Sequence, residues 1–472
     1  MSITNLDEVT KKYFSDIREG LQSRALNSSY SDDSKSSGME SIACESYNGM
    51  YKSAHLYKKK QLLQRLDSKV IAQQEYVYQN TLRPWFNKLD VNKSKVGPHP
   101  DFAHLKETNE VEFNQIVTMF VDIKRSSRLS LLMSLQDAYV VKNRILQTCV
   151  DVIRALDGYP HRLMGDAVMA FFGGKNLSPE DSIANALNAS SSLKLILTES
   201  VFPQLNELLG KDVSLGVRIG LDYGSNQEVI WANYGYGDAS EVTALGLPVD
   251  LASKAQSQAN TNTAMLGQGI LDFVDFPEMY SEIKTVGADK SPECYILPNM
   301  EDVDGKPINR RCRLLKMDMY QDLLPIPLNW RVKDGRNLVS NDDIKFKCYY
   351  KKNDSDEWME YNSVSFFLEK NITLKFEIEI YNPDKYSSFY PLVAKFEKNN
   401  YGKEAEKGED HDLQSVTKHL IEKNTEPYQS SIVIDIPEGT AYRGLHTMEV
   451  VISPKSNQTS IIYKNIIGVY IK

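Results

Sequence analysis

Cysteine is scarce in this chain: Cys44, Cys149, Cys294, Cys312 and Cys348 are the only five in 472 residues, and no two form a CxxC pair. That number and spacing exclude a zinc ribbon and a disulfide framework and fit a reducing compartment. Long apolar runs are missing too, so no stretch is suited to crossing a bilayer. The opening residues, Met1-Ser-Ile-Thr-Asn-Leu-Asp-Glu8, lack the basic and apolar regions of a signal peptide, which points to the cytoplasm. Positive charge is in deficit: 55 Lys and Arg stand against 63 Asp and Glu, giving a formal charge of -8 and a pI near 5.6. This balance argues against a broad footprint for nucleic acid and leaves room for a local basic pocket that takes a nucleotide.

What is present is an ordinary globular composition, 41% hydrophobic and 25% charged, in a chain long enough for two or three domains. Residues 1–110 read as a helical N-terminal segment. It has helices from Leu6 to Arg24 and near Tyr57 to Leu82, a Ser/Asp-rich loop from Asn27 to Ser37, and a linker at Val96-Gly-Pro-His-Pro100. The lysine run Lys58-Lys-Lys60 reads as a solvated helix face.

Residues 111–300 alternate strands with amphipathic helices. Ile116 to Ile123 is a β-prone run, and Gln136 to Leu156 is a helix with Val141, Ile145, Cys149 and Val152 on one face. His161 to Phe172 reads as a hairpin with Gly165-Asp166 at its turn. Ser178-Pro-Glu-Asp opens a further helix, and Val213 to Leu221 and Glu228 to Ala232 supply strands before a short helix at Pro248 to Ala259. The order β-α-β-β-α-β predicts a ferredoxin-like α+β core with helices on one sheet face. In residues 315–472 the pattern changes: Ile372, Leu374, Phe376, Ile378 and Ile380 alternate with polar neighbours, predicting an all-β sandwich.

Two aspartates carry the chemistry. Asp122 ends a strand, and an isolated carboxylate beside a buried strand needs a partner charge or a proton. Asp166 follows Gly165 at the hairpin tip. Each alone has an ordinary structural role, as a helix N-cap or a β-turn. Converging, they make a hard-oxygen site for magnesium or manganese, with the backbone carbonyl of Ile123 as a further ligand. Lys124, Arg125, Ser126 and Ser127 then offer charge, hydroxyls and N–H groups suited to phosphate. Phe120 shares the strand face of Asp122, where it either narrows and stacks on a base or packs as a core aromatic. Asp250 and Lys254 lie four apart on one helix face, the spacing of a surface ion pair.

The ordered series Phe120-Val-Asp-Ile123, Gly165-Asp-Ala-Val-Met-Ala-Phe-Phe172, Val217-Arg-Ile-Gly220 and Ala244-Leu-Gly-Leu-Pro-Val-Asp-Leu-Ala-Ser-Lys254 resembles the class III nucleotidyl cyclases, the adenylate and guanylate cyclase family. The resemblance covers roughly Phe113 to Pro298 and implies two divalent ions, Mn²⁺ or Mg²⁺, held by Asp122, Asp166 and the Ile123 carbonyl. It also implies a homodimer whose composite sites set those aspartates against base- and phosphate-binding residues of a partner. Arg162 and Thr243 stand at the base-selecting positions, Asp250 replaces a ribose-positioning asparagine, and Lys254 replaces a transition-state arginine. Arg162 donates but does not accept, which suits a carbonyl such as that at pyrimidine C2. Lys254 keeps the charge of the arginine and loses its planar fork.

The diverged base pocket, helical N-terminal segment and β-rich tail are similar to the pyrimidine cyclases of the bacterial Pycsar antiphage system. That similarity implies conversion of CTP or UTP to the 3′,5′-cyclic monophosphate on infection, with a separate effector that binds the product. The competing expectations are an adenylate cyclase with a relaxed pocket and a catalytically degenerate nucleotide-binding regulator.

Overall fold

The computed structural model describes residues 6–14, 76–296, 301–331, 338–353, 356–408, 413–422 and 431–472. The Ser/Asp-rich stretch, the lysine run and most of the two N-terminal helices lie outside these residues. What is described of those helices is α1 (Leu6–Tyr13) and α2 (Val77–Leu82).

Strand β1 (Val111–Phe113) leads into β2 (Ile116–Lys124). Along β2, Val117, Met119, Val121 and Ile123 enter the main core, and the period of two turns Thr118, Phe120 and Asp122 to the opposite face. Helices α3 (Ser127–Leu132) and α4 (Leu135–Ala155) follow, α4 being capped by Ser134 Oγ, which accepts from the Asp137 N–H at 3.2 Å. Strands β3 (Tyr159–Met164) and β4 (Ala167–Gly173) form the hairpin. Helix α5 (Pro179–Ile196) starts where the sequence placed it, with Ser178 Oγ accepting from the Asp181 N–H at 3.1 Å and proline in the first turn. Then come α6 (Phe202–Leu209), β5 (Gly216–Gly224), β6 (Ile230–Tyr236), β7 (Ala239–Leu245), α7 (Leu247–Gln258), β8 (Thr263–Gly267) and α8 (Gln268–Phe273).

Strands β5, β2, β4 and β3 pair antiparallel in that order, and β8 adds parallel beside β5. The short strands β9 (Ser281–Glu282), β12 (Tyr295–Ile296) and β13 (Arg310–Leu315) extend this sheet to eight, while β10 (Lys284–Val286) and β11 (Ser291–Glu293) pair apart from it. The hairpin of β6 and β7 joins β1 in a separate three-stranded sheet. Helices α4 and α5 cover one face of the large sheet. The expectation that all helices share that face is corrected by α7, which lies on the opposite face over β5 and β2. Gly220 makes this possible: a Cβ there would stand 2.1 Å from Gln256 N and 2.2 Å from Ala252 O.

The remaining strands are β14 (Ile344–Lys351), β15 (Met359–Tyr361), β16 (Phe367–Leu368), β17 (Thr373–Tyr381), β18 (Leu392–Asn399), β19 (Gln414–Ile421), β20 (Ser431–Gly439), β21 (Gly444–Pro454) and β22 (Tyr463–Ile471). They build a four-stranded sheet, β15-β14-β17-β20, and a five-stranded sheet, β16-β22-β21-β18-β19, around one hydrophobic cluster. Leu374, Phe376, Ile378 and Ile380 of β17 all point into that cluster.

Helix α5 joins the two halves. Every residue from Ser182 to Ile196 is buried, which a helix achieves only between two layers. On its outer side Asn188 Nδ2 donates to the Val364 carbonyl at 2.7 Å and Asn188 Oδ1 accepts from the Tyr320 hydroxyl at 2.9 Å. The Tyr320 and Tyr470 hydroxyls lie 2.9 Å apart, and the Phe367 N–H donates to Asp181 Oδ1 at 2.8 Å. The main core therefore runs from the large sheet through α5 to Phe367, Leu445 and Tyr470.

Candidate active site

Asp122 lies near the end of β2 between two neighbours, Ala167 on β4 and Arg218 on β5. Arg218 supplies the partner charge that this carboxylate needs. Its Nε donates to Asp122 Oδ2 at 3.1 Å, and its Nη2 donates to the same oxygen. Among the described residues no hydrogen bond reaches Asp122 Oδ1. Arg218 belongs to a segment that the sequence singles out, yet its role depends on strand register. The signal is its cross-strand position opposite Asp122, which no local pattern reveals.

Asp166 reaches the same end of the sheet. Met164 pairs with Ala167, so Gly165-Asp166 is a two-residue turn, and Gly165 takes the left-handed conformation at φ 66° that the first position of a type II′ turn requires. Because Ala167 is the register partner of Asp122, Asp166 stands one residue beyond that pair. Ser126 Oγ donates to Asp166 Oδ2 and ties the loop after β2 to the hairpin tip. The Ile123 carbonyl accepts from the Ser126 N–H at 3.3 Å and, with two lone pairs, retains capacity for another partner. This set of two carboxylates and a carbonyl fits a hard divalent cation that completes its shell with substrate oxygens. Among the described residues no group of three or more His, Cys, Asp or Glu could hold a metal without such help.

The other candidates divide. Lys124 Nζ donates to Thr261 Oγ1 at 2.7 Å and Arg125 Nη1 to the Ser214 carbonyl at 3.3 Å, so both side chains are tied to neighbouring loops while Ser126 serves Asp166. Ser127 begins the short helix α3. Phe120 is half-buried against the cluster of Met169, Phe171, Trp231 and Val249. Asp250 and Lys254 are exposed on α7, and their side chains make no hydrogen bond or ion pair among the described residues. The surface pair that their spacing suggests is not formed.

Arg162, Met169, Phe120 and Gly220 occupy one row across β3, β4, β2 and β5. Arg162 does not stand alone: its Nη2 forms an ion pair with Glu241 Oε1 on β7. Glu241 lies two residues before the buried Thr243 and so shares its strand face, a signal that the period of two offered. The other Glu241 oxygen lies 3.8 Å from His161 Nε2. His161 Nδ1 donates to the Gly97 carbonyl at 3.0 Å, and burial pushes the imidazole pKa below its ordinary value. The neutral ring therefore presents a lone pair at Nε2.

The chain as a whole is similar to several known proteins. Residues 322–472 match the model of the Adenylyl/Guanylyl and SMODS C-terminal sensor domain. A cytidylate cyclase of Escherichia coli is 49% identical over 407 residues, covering 84% of this chain and 88% of its own. A cytidylate cyclase of Staphylococcus aureus is 32% identical over 384 residues, covering 78% of this chain and 82% of its own. Among solved structures, the adenylyl cyclase CyaB from P. aeruginosa aligns with 44% of this chain and 95% of its own at 17% identity and a TM-score of 0.35. The guanylyl cyclase Cya2 aligns with 44% of this chain and 93% of its own at 18% identity and a TM-score of 0.34. The class is that of the nucleotidyl cyclases. Within it, this chain belongs to the cytidylate cyclase family.

Proposed function

We propose that this chain is a metal-dependent pyrimidine nucleotide cyclase that converts CTP to 3′,5′-cyclic CMP and pyrophosphate, a phosphorus-oxygen lyase reaction. The observation that carries the substrate assignment is the 49% identity, over most of the chain, with a protein named cytidylate cyclase. The pairing of Arg162 with Glu241 at the base-selecting position supports it.

In the reaction the ribose 3′-oxygen attacks the α-phosphorus, the bond from that phosphorus to the β-bridging oxygen breaks, and the 3′-hydroxyl proton is released. Asp122, Asp166 and the Ile123 carbonyl would hold two divalent ions, Mn²⁺ or Mg²⁺. When bound, these ions make the 3′-hydroxyl more acidic and offset charge on the leaving pyrophosphate. Arg218 holds Asp122 by its other oxygen and brings a cation to the triphosphate. Ser126 fixes Asp166 at the hairpin tip. Lys254 supplies charge to the transition state and Asp250 accepts from a ribose hydroxyl. Their side chains are unpaired among the described residues and exposed, as groups that serve a site completed by a second chain should be.

The active form is a head-to-tail homodimer with composite sites. Leu163, Met164 and Tyr234 are exposed at 44%, 37% and 61% on β3 and β6, beside the site, and supply apolar surface for that contact. In this reading residues 111–300 are a ferredoxin-like class III cyclase domain, residues 1–110 a helical N-terminal segment, and residues 315–472 a sensor-like β-sandwich. Among the described residues no helix is long and apolar enough to cross a membrane. The enzyme acts in the bacterial cytoplasm as a source of an antiphage second messenger, read by a separate effector.

Purified protein given CTP and Mn²⁺ should release pyrophosphate and form a product that co-elutes with 3′,5′-cyclic CMP. Equal turnover of ATP would overturn the pyrimidine assignment.

A further inference from the structure

We infer that Glu241, acting with Arg162, is the residue that selects cytosine over uracil, an assignment that rests on the cytidylate cyclase reading. The ion pair uses Arg162 Nη2 and Glu241 Oε1. It leaves the remaining guanidinium N–H groups as donors and Glu241 Oε2 as an acceptor on adjacent side chains, with Arg162 in the same cross-strand row as Phe120. His161 Nε2 lies 3.8 Å from Oε2, and His161 is neutral with its proton on Nδ1, so it leaves this oxygen available to a ligand.

Cytosine matches that array. Its O2 and N3 are acceptors for the guanidinium, and its 4-amino group donates to the carboxylate. Uracil opposes it twice: N3–H meets a donor, and O4 meets the carboxylate. Adenine repeats the acceptor and donor of cytosine at N1 and N6 but offers no second acceptor beside N1, so it loses part of the arginine contact. A polar site that leaves its groups unpaired against the wrong base discriminates far more strongly than a change in apolar volume. Arg162 alone, which only donates, would accept either pyrimidine through O2. The acceptor that separates them is Glu241.

Glu241→Gln tests this, because glutamine preserves shape and is able either to accept from the cytosine amino group or to donate to uracil O4. The ratio of kcat/KM for CTP over UTP should fall by about tenfold or more, with part of the change coming from a gain in UTP turnover. An unchanged ratio, or equal loss for both substrates, would overturn the role assigned to Glu241. The 4-deamino analogue of CTP gives a readout that does not depend on how the variant folds. The wild-type enzyme should use it at least about tenfold less well than CTP, and equal use would overturn the inference. A wild-type enzyme that prefers UTP or a purine would remove the cytidylate cyclase reading itself. One that prefers CTP, but whose E241Q form keeps the full ratio, would remove only the role of Glu241.

Discussion

Arg218 and Asp122 face each other across β5 and β2, and both contacts from the guanidinium fall on the same carboxylate oxygen, with Nε at 3.1 Å from Oδ2. One oxygen is thus neutralised by the protein while the other remains open to a metal ion. Replacing the carboxylate by an amide keeps an acceptor for Arg218 and removes the anionic ligand. Asp122→Asn should therefore lower kcat by about a thousandfold or more while shifting the melting temperature little. Near-normal turnover by the purified variant would exclude the metal role.

Ser126 holds Asp166 through its hydroxyl. Ser126→Ala frees the hairpin tip, and the Mn²⁺ concentration for half-maximal activity should rise several-fold, with kcat recovered at saturating metal. Asp166→Ala should lose turnover at every metal concentration. A Mn²⁺ titration separates the two, and identical behaviour of both variants would refute the positioning role of Ser126.

Because Asp250 and Lys254 find no partner on their own chain among the described residues, each site should need two chains. Asp122→Ala and Lys254→Ala protomers should each be inactive alone. Mixed at equal amounts with free exchange, they should recover up to about a quarter of wild-type activity, since half the dimers then hold one intact site of two. No recovery in a sample shown to contain heterodimers would contradict the shared site.

Asp222 is fully buried on β5 and accepts from the N–H groups of Tyr223 and Gly269, each at 2.9 Å. Burial outweighs these donors and pushes its pKa up from 3.8 to about 7. The folded state then holds a proton that the unfolded chain releases between those values, so the wild type loses stability as pH rises through that window and levels off above it. Asp222→Asn keeps the acceptor and removes the titration. Its stability advantage, read by thermal melting, should be larger at pH 8 than at pH 5. An equal margin at both would show that Asp222 does not titrate in this window.

Asn188 connects the catalytic sheet to the C-terminal sandwich through Val364 and Tyr320. Asn188→Ala removes the donor to the buried Val364 carbonyl, while the Tyr320 hydroxyl keeps Tyr470, at a cost of about 1–3 kcal/mol. A lower melting temperature with one cooperative transition is expected. An unchanged transition would show that this contact contributes nothing to joining the two halves.

What was legible in the sequence was local. The period of two in Ile116 to Ile123 places Phe120 and Asp122 on one face, and Ser178-Pro-Glu-Asp marks a helix start, because each rests on backbone geometry within a few residues. What escaped was set by pairing between distant segments. Arg218 lies 96 residues from Asp122, and only the register of β2 against β5 brings them together. The ion pair of Arg162 with Glu241 likewise joins strands of two different sheets. The position of α7 depends on Gly220 admitting it against β5, which its own apolar pattern does not state. Phe120 was readable equally as a base contact or a core residue, and it is half-buried against the cluster of Met169 and Trp231.

The most direct test of the account is a competition assay, with all four ribonucleoside triphosphates at equal concentration, Mn²⁺, and the full-length wild-type enzyme. The account predicts 3′,5′-cyclic CMP as the dominant product, with cyclic UMP a minor one. A dominant cyclic purine or cyclic UMP would contradict it.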